Sequence, residues 1–109
     1  MVEQSARLDA VFSSLADPTR RDILRRVAKK ELTVGEIAAS YNLTFAATSK
    51  HLMVLEKANL VSKRRDGKTQ MVQLAPKALA DVEEFLKRYQ TLWEARLDRL
   101  QALIEPISK

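Results

Sequence analysis

The stretch TVGEIAASYNLTFAATSKHLMVL, residues 33–55, holds two helix starts separated by one tight connection. Thr33 and Glu36 have the spacing of a capping box, in which the threonine hydroxyl accepts from an amide of the first turn and the glutamate reaches back to the cap amide. A short helix through about Ser40 is predicted. Tyr41-Asn42-Leu43 reads as the connection, and Thr44 as the cap of a further helix whose buried side includes Thr48, Leu52 and Leu55. Two short helices joined by about three residues are the outline of a helix-turn-helix.

On the C-terminal side, Asn59 suits the left-handed position just past a helix end, with Leu60 folding back on Leu55 as in a Schellman cap. Residues 60–65 and 68–74 flank Asp66-Gly67, a strong signal for a two-residue hairpin turn. Pairing about that turn sets Arg65 opposite Lys68, Lys63 opposite Gln70 and Val61 opposite Val72, a hairpin apolar at its base and basic at its tip. Arg65 facing Lys68 costs about 0.2–1 kcal/mol, which points to a polyanion partner rather than to folding as the reason for the charges. Pro76 is expected to start a last helix that runs to about Glu105, roughly 45 Å, before Pro106 ends it. Along it Leu79, Val82, Leu86, Tyr89, Trp93, Leu100 and Leu103 follow a three-four spacing, broken where Arg96 falls with Leu97 beside it.

On the N-terminal side, Leu8, Val11, Phe12 and Leu15 form one stripe of an amphipathic helix. Asp17 followed by Pro18 is a cap carboxylate before a proline in the first helical position, so a second helix starts there and carries Ile23, Leu24 and Val27 inward. Its end is expected near Lys29-Lys30, where cations suit a helix C-terminus.

With 109 residues, of which 46% are hydrophobic, the chain is long enough for one domain with a modest core. We therefore expect a single domain over 1–109, mainly α with a small β-hairpin, with a nucleic-acid-binding core at about 17–75. The absence of cysteine removes disulfides, thiolate metal sites and thiol nucleophiles together. No apolar run approaches the roughly 20 residues of a membrane span, and MVEQSARLDA lacks the order of a signal peptide, so no membrane partner and a cytoplasmic location are expected. The net charge is +5, and residues 50–70 hold Lys50, Lys57, Lys63, Arg64, Arg65 and Lys68 against Glu56 and Asp66, a local balance of +4. Such concentration is either a solvated face or the footprint of a polyanion.

In a helix-turn-helix the second helix lies in the DNA major groove with its N-terminal residues near base edges. Here it opens at Thr44, and Phe45, Ala46, Ser49, Lys50 and Met53 project outward. Ser49 and Lys50 suit polar contact with bases or phosphates, and Phe45 or Ala46 suits a thymine methyl. The set is modest, so DNA shape and the hairpin residues Lys63, Arg64, Arg65, Lys68 and Gln70 are expected to share in recognition. His51 is a further DNA-face candidate, with packing or capping as the alternative. Arg20 and Arg21 either reach the DNA backbone or pair with carboxylates. Phe85, Tyr89 and Trp93 fit a dimer seam better than an effector pocket, and Asp81, Glu83 and Glu84 suit the exposed start of a helix. A lone histidine without nucleophile, orienting partner or oxyanion site makes no enzyme, and no cofactor is implied.

The runs LADPTRRDIL at 15–24, ELTVGEIA at 31–38 and SKHLMVL at 49–55, followed by the Asp66-Gly67 turn, resemble the ArsR/SmtB group of winged helix-turn-helix transcriptional regulators over about residues 8–76. The resemblance implies a homodimer formed by the first and last helices, at about 7–16 and 76–105, and repression by occupancy of a double-stranded DNA operator. The dimer candidates are then Leu8, Val11, Phe12, Leu15, Leu79, Val82, Leu86, Tyr89, Trp93, Leu97 and Leu100. Metal-sensing members carry cysteines at the places of Thr33 and Gly35, or Asp and His ligands on the last helix. Neither set is present, so the chain is expected in a branch that does not sense metal by either of these site types, and no effector is named. The competing class is a winged-helix module that docks a protein; the charged hairpin and the polar outer face of the second helix argue against it.

Overall fold

The computed structural model describes residues 2–77 and 80–104, with side chains from residue 6 onward. The chain forms two compact units, one ending at the turn that includes Lys77 and the other beginning at Ala80. The first unit holds α1 (Val2–Ser14), α2 (Pro18–Lys29), β1 (Leu32–Thr33), α3 (Val34–Tyr41), α4 (Phe45–Lys57), β2 (Val61–Asp66) and β3 (Thr69–Leu74). The second is α5 (Ala80–Ile104). The first unit is thus a winged helix-turn-helix, with one element the sequence reading did not contain.

The starts of α2, α3 and α4 are closed by the residues expected. Asp17 accepts from the Arg20 amide with Pro18 in the first turn, and Thr33 and Glu36 complete the reciprocal capping box. Thr44 accepts from the Ala47 amide at 3.0 Å. The ends of α3 and α4 are closed as well. Asn42 takes φ 54° and Asn59 φ 61°, and in both places the 6→1 and 5→2 bonds of a Schellman motif form: Leu43 to Ala38 and Asn42 to Ala39, then Leu60 to Leu55 and Asn59 to Glu56.

The additional element is β1. Leu32 and Thr33 pair antiparallel with Val72 and Met71, giving a three-stranded sheet in the order β1-β3-β2. Thr33 therefore serves both as a strand residue and as the cap of α3. Helices α2 and α3 pack on β3 and α4 on β2, and between them Ile23, Ile37, Leu52, Leu55, Leu60 and Val72 are fully buried. Thr48 and Ser14 are buried too, each hydroxyl donating to a carbonyl one turn back, Thr44 and Val11 respectively.

Two expectations are corrected. The hairpin does not turn on Asp66-Gly67: Asp66 pairs with Thr69, Arg65 with Gln70, Lys63 with Val72 and Val61 with Leu74. The turn residues are Gly67 and Lys68, with φ positive at Gly67 (66°) and not at Lys68, the sign pattern of a type II′ turn. A turn centred on Asp66-Gly67 would force a side chain at Asp66 into positive φ as well, so the pairing slides to where only glycine bears it. The like-charge pair of Arg65 and Lys68 consequently never forms. Nor does the last helix start at Pro76, since Ala75 still donates to the Leu60 carbonyl at the sheet end and residues 76–77 form a turn. Helix α5 is described from Ala80 over 25 residues, about 37 Å; Leu79 and Glu105 lie outside the described residues.

Truncating Leu52, at the centre of the first unit, to alanine should lower stability by about 2–5 kcal/mol, read as a reduced urea midpoint. Acid should act through two helix starts and through the contact of α2 with the end of α3. Asp17 lies below the ordinary 3.8 chiefly through the Arg20 amide, Asp22 below 3.8 through the Tyr41 hydroxyl, and Glu36 below 4.5 through the Thr33 amide. The unfolded chain binds more protons than the folded one at these groups, so their contribution is complete above about pH 5 and is lost as pH falls through the folded values. Urea midpoints should decline from pH 6 to pH 3 and decline less in Asp22→Asn; a flat profile contradicts these pairings.

Candidate nucleic-acid interface

Because Thr48, Leu52 and Leu55 occupy the buried side of α4, the opposite side must face solvent. Phe45 is 63% exposed and Met53 50%, Thr44, Ala46 and Lys50 are exposed, and Ser49 is half-buried on the flank. The Thr44 hydroxyl is committed to its cap, so its value to a ligand is the helix start it sets. Lys50 forms no ion pair among the described residues.

The hairpin cations divide into two pairs. The Lys63 ammonium lies 3.6 Å from the Glu56 carboxylate and its side chain is only 23% exposed. Arg64 is ion-paired with Glu31, which raises the basicity of an already permanent cation. Arg65 and Lys68, by contrast, are exposed and have no ion pair among the described residues. Together with Thr69 and Gln70 they border a recess of about 390 Å³ whose other walls are residues 33–35 at the start of α3 and Phe45 at the start of α4. The tip of the hairpin and the first residue of α4 therefore share one concavity.

His51 sits differently from the other candidates. It is half-buried on α4, with Nδ1 3.4 Å from Arg20 Nη1 and 3.9 Å from Asp17 Oδ2, so this edge of the ring faces α2. Neither reading of Arg20 and Arg21 describes their side-chain hydrogen bonds. Arg20 donates to the Ser14 carbonyl at 2.7 Å and the Ser13 carbonyl at 3.3 Å, and Arg21 to the Leu15 carbonyl at 2.7 Å. Both guanidinium groups close the exposed carbonyl end of α1 and the turn after it.

On α5, taken by itself, Asp81 and Glu83 fall in the first turn. Leu86, Tyr89, Trp93, Leu97 and Leu100 are 47–67% exposed. In the first unit Val11 is buried and Phe12 is 43% exposed, while Leu8 and Leu15 are half-buried. Sequence reasoning missed Glu31 as the partner of Arg64 and residues 33–35 as a wall of the recess. Only the two-residue β1 brings them there, and no periodicity announces so short a strand.

The model for bacterial regulatory proteins of the arsR family matches residues 17–63. The HTH-type transcriptional regulator Rv2034 of Mycobacterium tuberculosis is 41% identical over 83 residues, 76% of this chain and 78% of that protein. This chain belongs to the ArsR family. The family match runs from the cap of α2 into β2 and so rests on the helix-turn-helix. The transcriptional repressor SdpR of Bacillus subtilis is 37% identical over 60 residues, 55% of this ArsR-family chain and 67% of that protein. Among solved structures, the homodimeric winged helix-turn-helix DNA-binding domain Mb0332 of Mycobacterium bovis matches with a TM-score of 0.64 at 28% identity, covering 83% of this chain and 81% of that one.

Proposed function

We propose that this ArsR-family protein is a cytoplasmic, homodimeric repressor that binds a palindromic double-stranded DNA operator. The supporting observation is the shared recess: an exposed, capped helix start and two uncommitted cations border one concavity. With α4 in the major groove, Thr44, Phe45, Ala46, Ser49, Lys50 and Met53 meet bases and nearby phosphates. Arg65, Lys68 and Gln70 then meet the backbone or the adjoining groove. Lys63 and Arg64 contribute less, because Glu56 and Glu31 already neutralise them. Two copies present recognition helices about 34 Å apart. Residues 1–109 act as one functional domain, paired through Leu8, Val11, Phe12 and Leu15 of the first helix region and Leu79, Val82, Leu86, Tyr89, Trp93, Leu97 and Leu100 of the last. Transcription is blocked by occupancy of the site. No enzymatic activity or cofactor enters this reading.

Affinity for duplex DNA should fall steeply with salt, and Arg65→Ala and Lys68→Ala should each flatten the log–log slope by about 0.9. Arg64→Ala should flatten it less. Equal slopes for all three variants and the parent would refute this use of the hairpin. Trp93→Asp should convert the dimer to monomer in sedimentation; an unchanged dimer excludes the proposed seam.

A further inference from the structure

We propose that Arg20 is a positioning residue for the recognition helix, tying the end of α1 to His51 on α4, and that His51 acts on DNA affinity through this tie and not by touching DNA. The inference rests on the DNA-binding reading above and adds a residue that makes no contact with the ligand.

Arg20 lies in the first turn of α2, where its amide is already held by the Asp17 carboxylate at 3.0 Å. Its side chain turns back: Nε donates to the Ser14 carbonyl at 2.7 Å and Nη2 to the Ser13 carbonyl at 3.3 Å. The third nitrogen, Nη1, is 3.4 Å from His51 Nδ1. A guanidinium carries its donors in one rigid plane, so a single side chain relates the end of α1, the start of α2 and the middle of α4. Its α1 anchor is firm, since Ser14 is fully buried and its hydroxyl is bonded to the Val11 carbonyl at 2.7 Å.

His51 is placed to receive this tie. To accept from Arg20, Nδ1 must offer its lone pair, which puts the ring proton on Nε2. Asp17 Oδ2, 3.9 Å from the same nitrogen, is the other charged group facing it from α2. About 200° of helix rotation separates His51 from Ser49 and about 100° separates it from Lys50, so the histidine projects from the flank opposite Ser49, at the edge of the base-reading face. A recognition surface held to within about 0.5 Å needs such support behind it.

Duplex affinity, its salt slope and thermal unfolding of the full chain test the tie. In His51→Asn the amide oxygen stands where Nδ1 stood, and affinity should stay within about threefold of the parent. His51→Leu and His51→Gln, which remove the acceptor from that place, should each lose about tenfold with the salt slope unchanged. Arg20→Lys keeps the charge without the planar fork and should lose a similar factor. Combining it with His51→Leu should cost no more than the worse single change. If His51→Leu lowers the slope by about 0.9, the ring is a phosphate contact and the tie is wrong. Additive losses, or Asn and Gln behaving alike, also overturn it. Should one variant unfold at the assay temperature, the Asn and Gln pair decides alone. A parent protein that ignores duplex DNA defeats the functional reading itself, whereas a binding parent whose His51 variants bind equally well defeats only the tie.

Discussion

The burial of one side of α4 is the constraint from which the rest of the first unit follows. Leu52 and Leu55 lie in the core with Ile23, Ile37, Leu60 and Val72, and the one polar member of that side, Thr48, is satisfied by the Thr44 carbonyl one turn back. A helix with its inner side so committed has no freedom to roll, because rotation would expose leucine and bury lysine at once. The outward set from Phe45 to Met53 is presented as a consequence. The same burial draws in Leu60 through the Schellman cap at Asn59, which aims the chain into β2 and places the hairpin beside the helix it follows.

Charge is sorted by the fold rather than by the sequence. Six cations within residues 50–70 are equivalent as letters, yet Lys63 meets Glu56 and Arg64 meets Glu31, leaving Arg65 and Lys68 at the tip. Ion pairs open to solvent on at least one side, as both of these are, add little stability. Their effect is on location: the positive field is weakened along the body of the hairpin and retained where the recess opens. The arginines of α2 are sorted likewise, Arg20 and Arg21 being spent on carbonyls at and just beyond the end of α1.

Helix α5 poses a different physical problem. A row of exposed leucines with Tyr89 and Trp93 along 25 residues is more apolar surface than an isolated soluble chain ordinarily leaves in water. A second copy covering that row is in keeping with the homodimeric winged helix-turn-helix neighbour.

Local chemistry was legible in the sequence. The caps at Asp17, Thr33 and Thr44, the left-handed asparagine after Leu55, and the buried spacing of Thr48, Leu52 and Leu55 all involve partners within about six residues, where chain geometry leaves few choices. The register of the hairpin, the strand pairing of Leu32 and Thr33, the partners of Lys63 and Arg64, and the approach of Arg20 to His51 were decided only in three dimensions. Each of these depends on where a glycine can bear positive φ or on groups brought together from distant elements by the packing of the core. The start of the last helix belongs with them: Pro76 is a fair helix starter on its own, but Ala75 is still bonded to the Leu60 carbonyl and residues 76–77 form a turn.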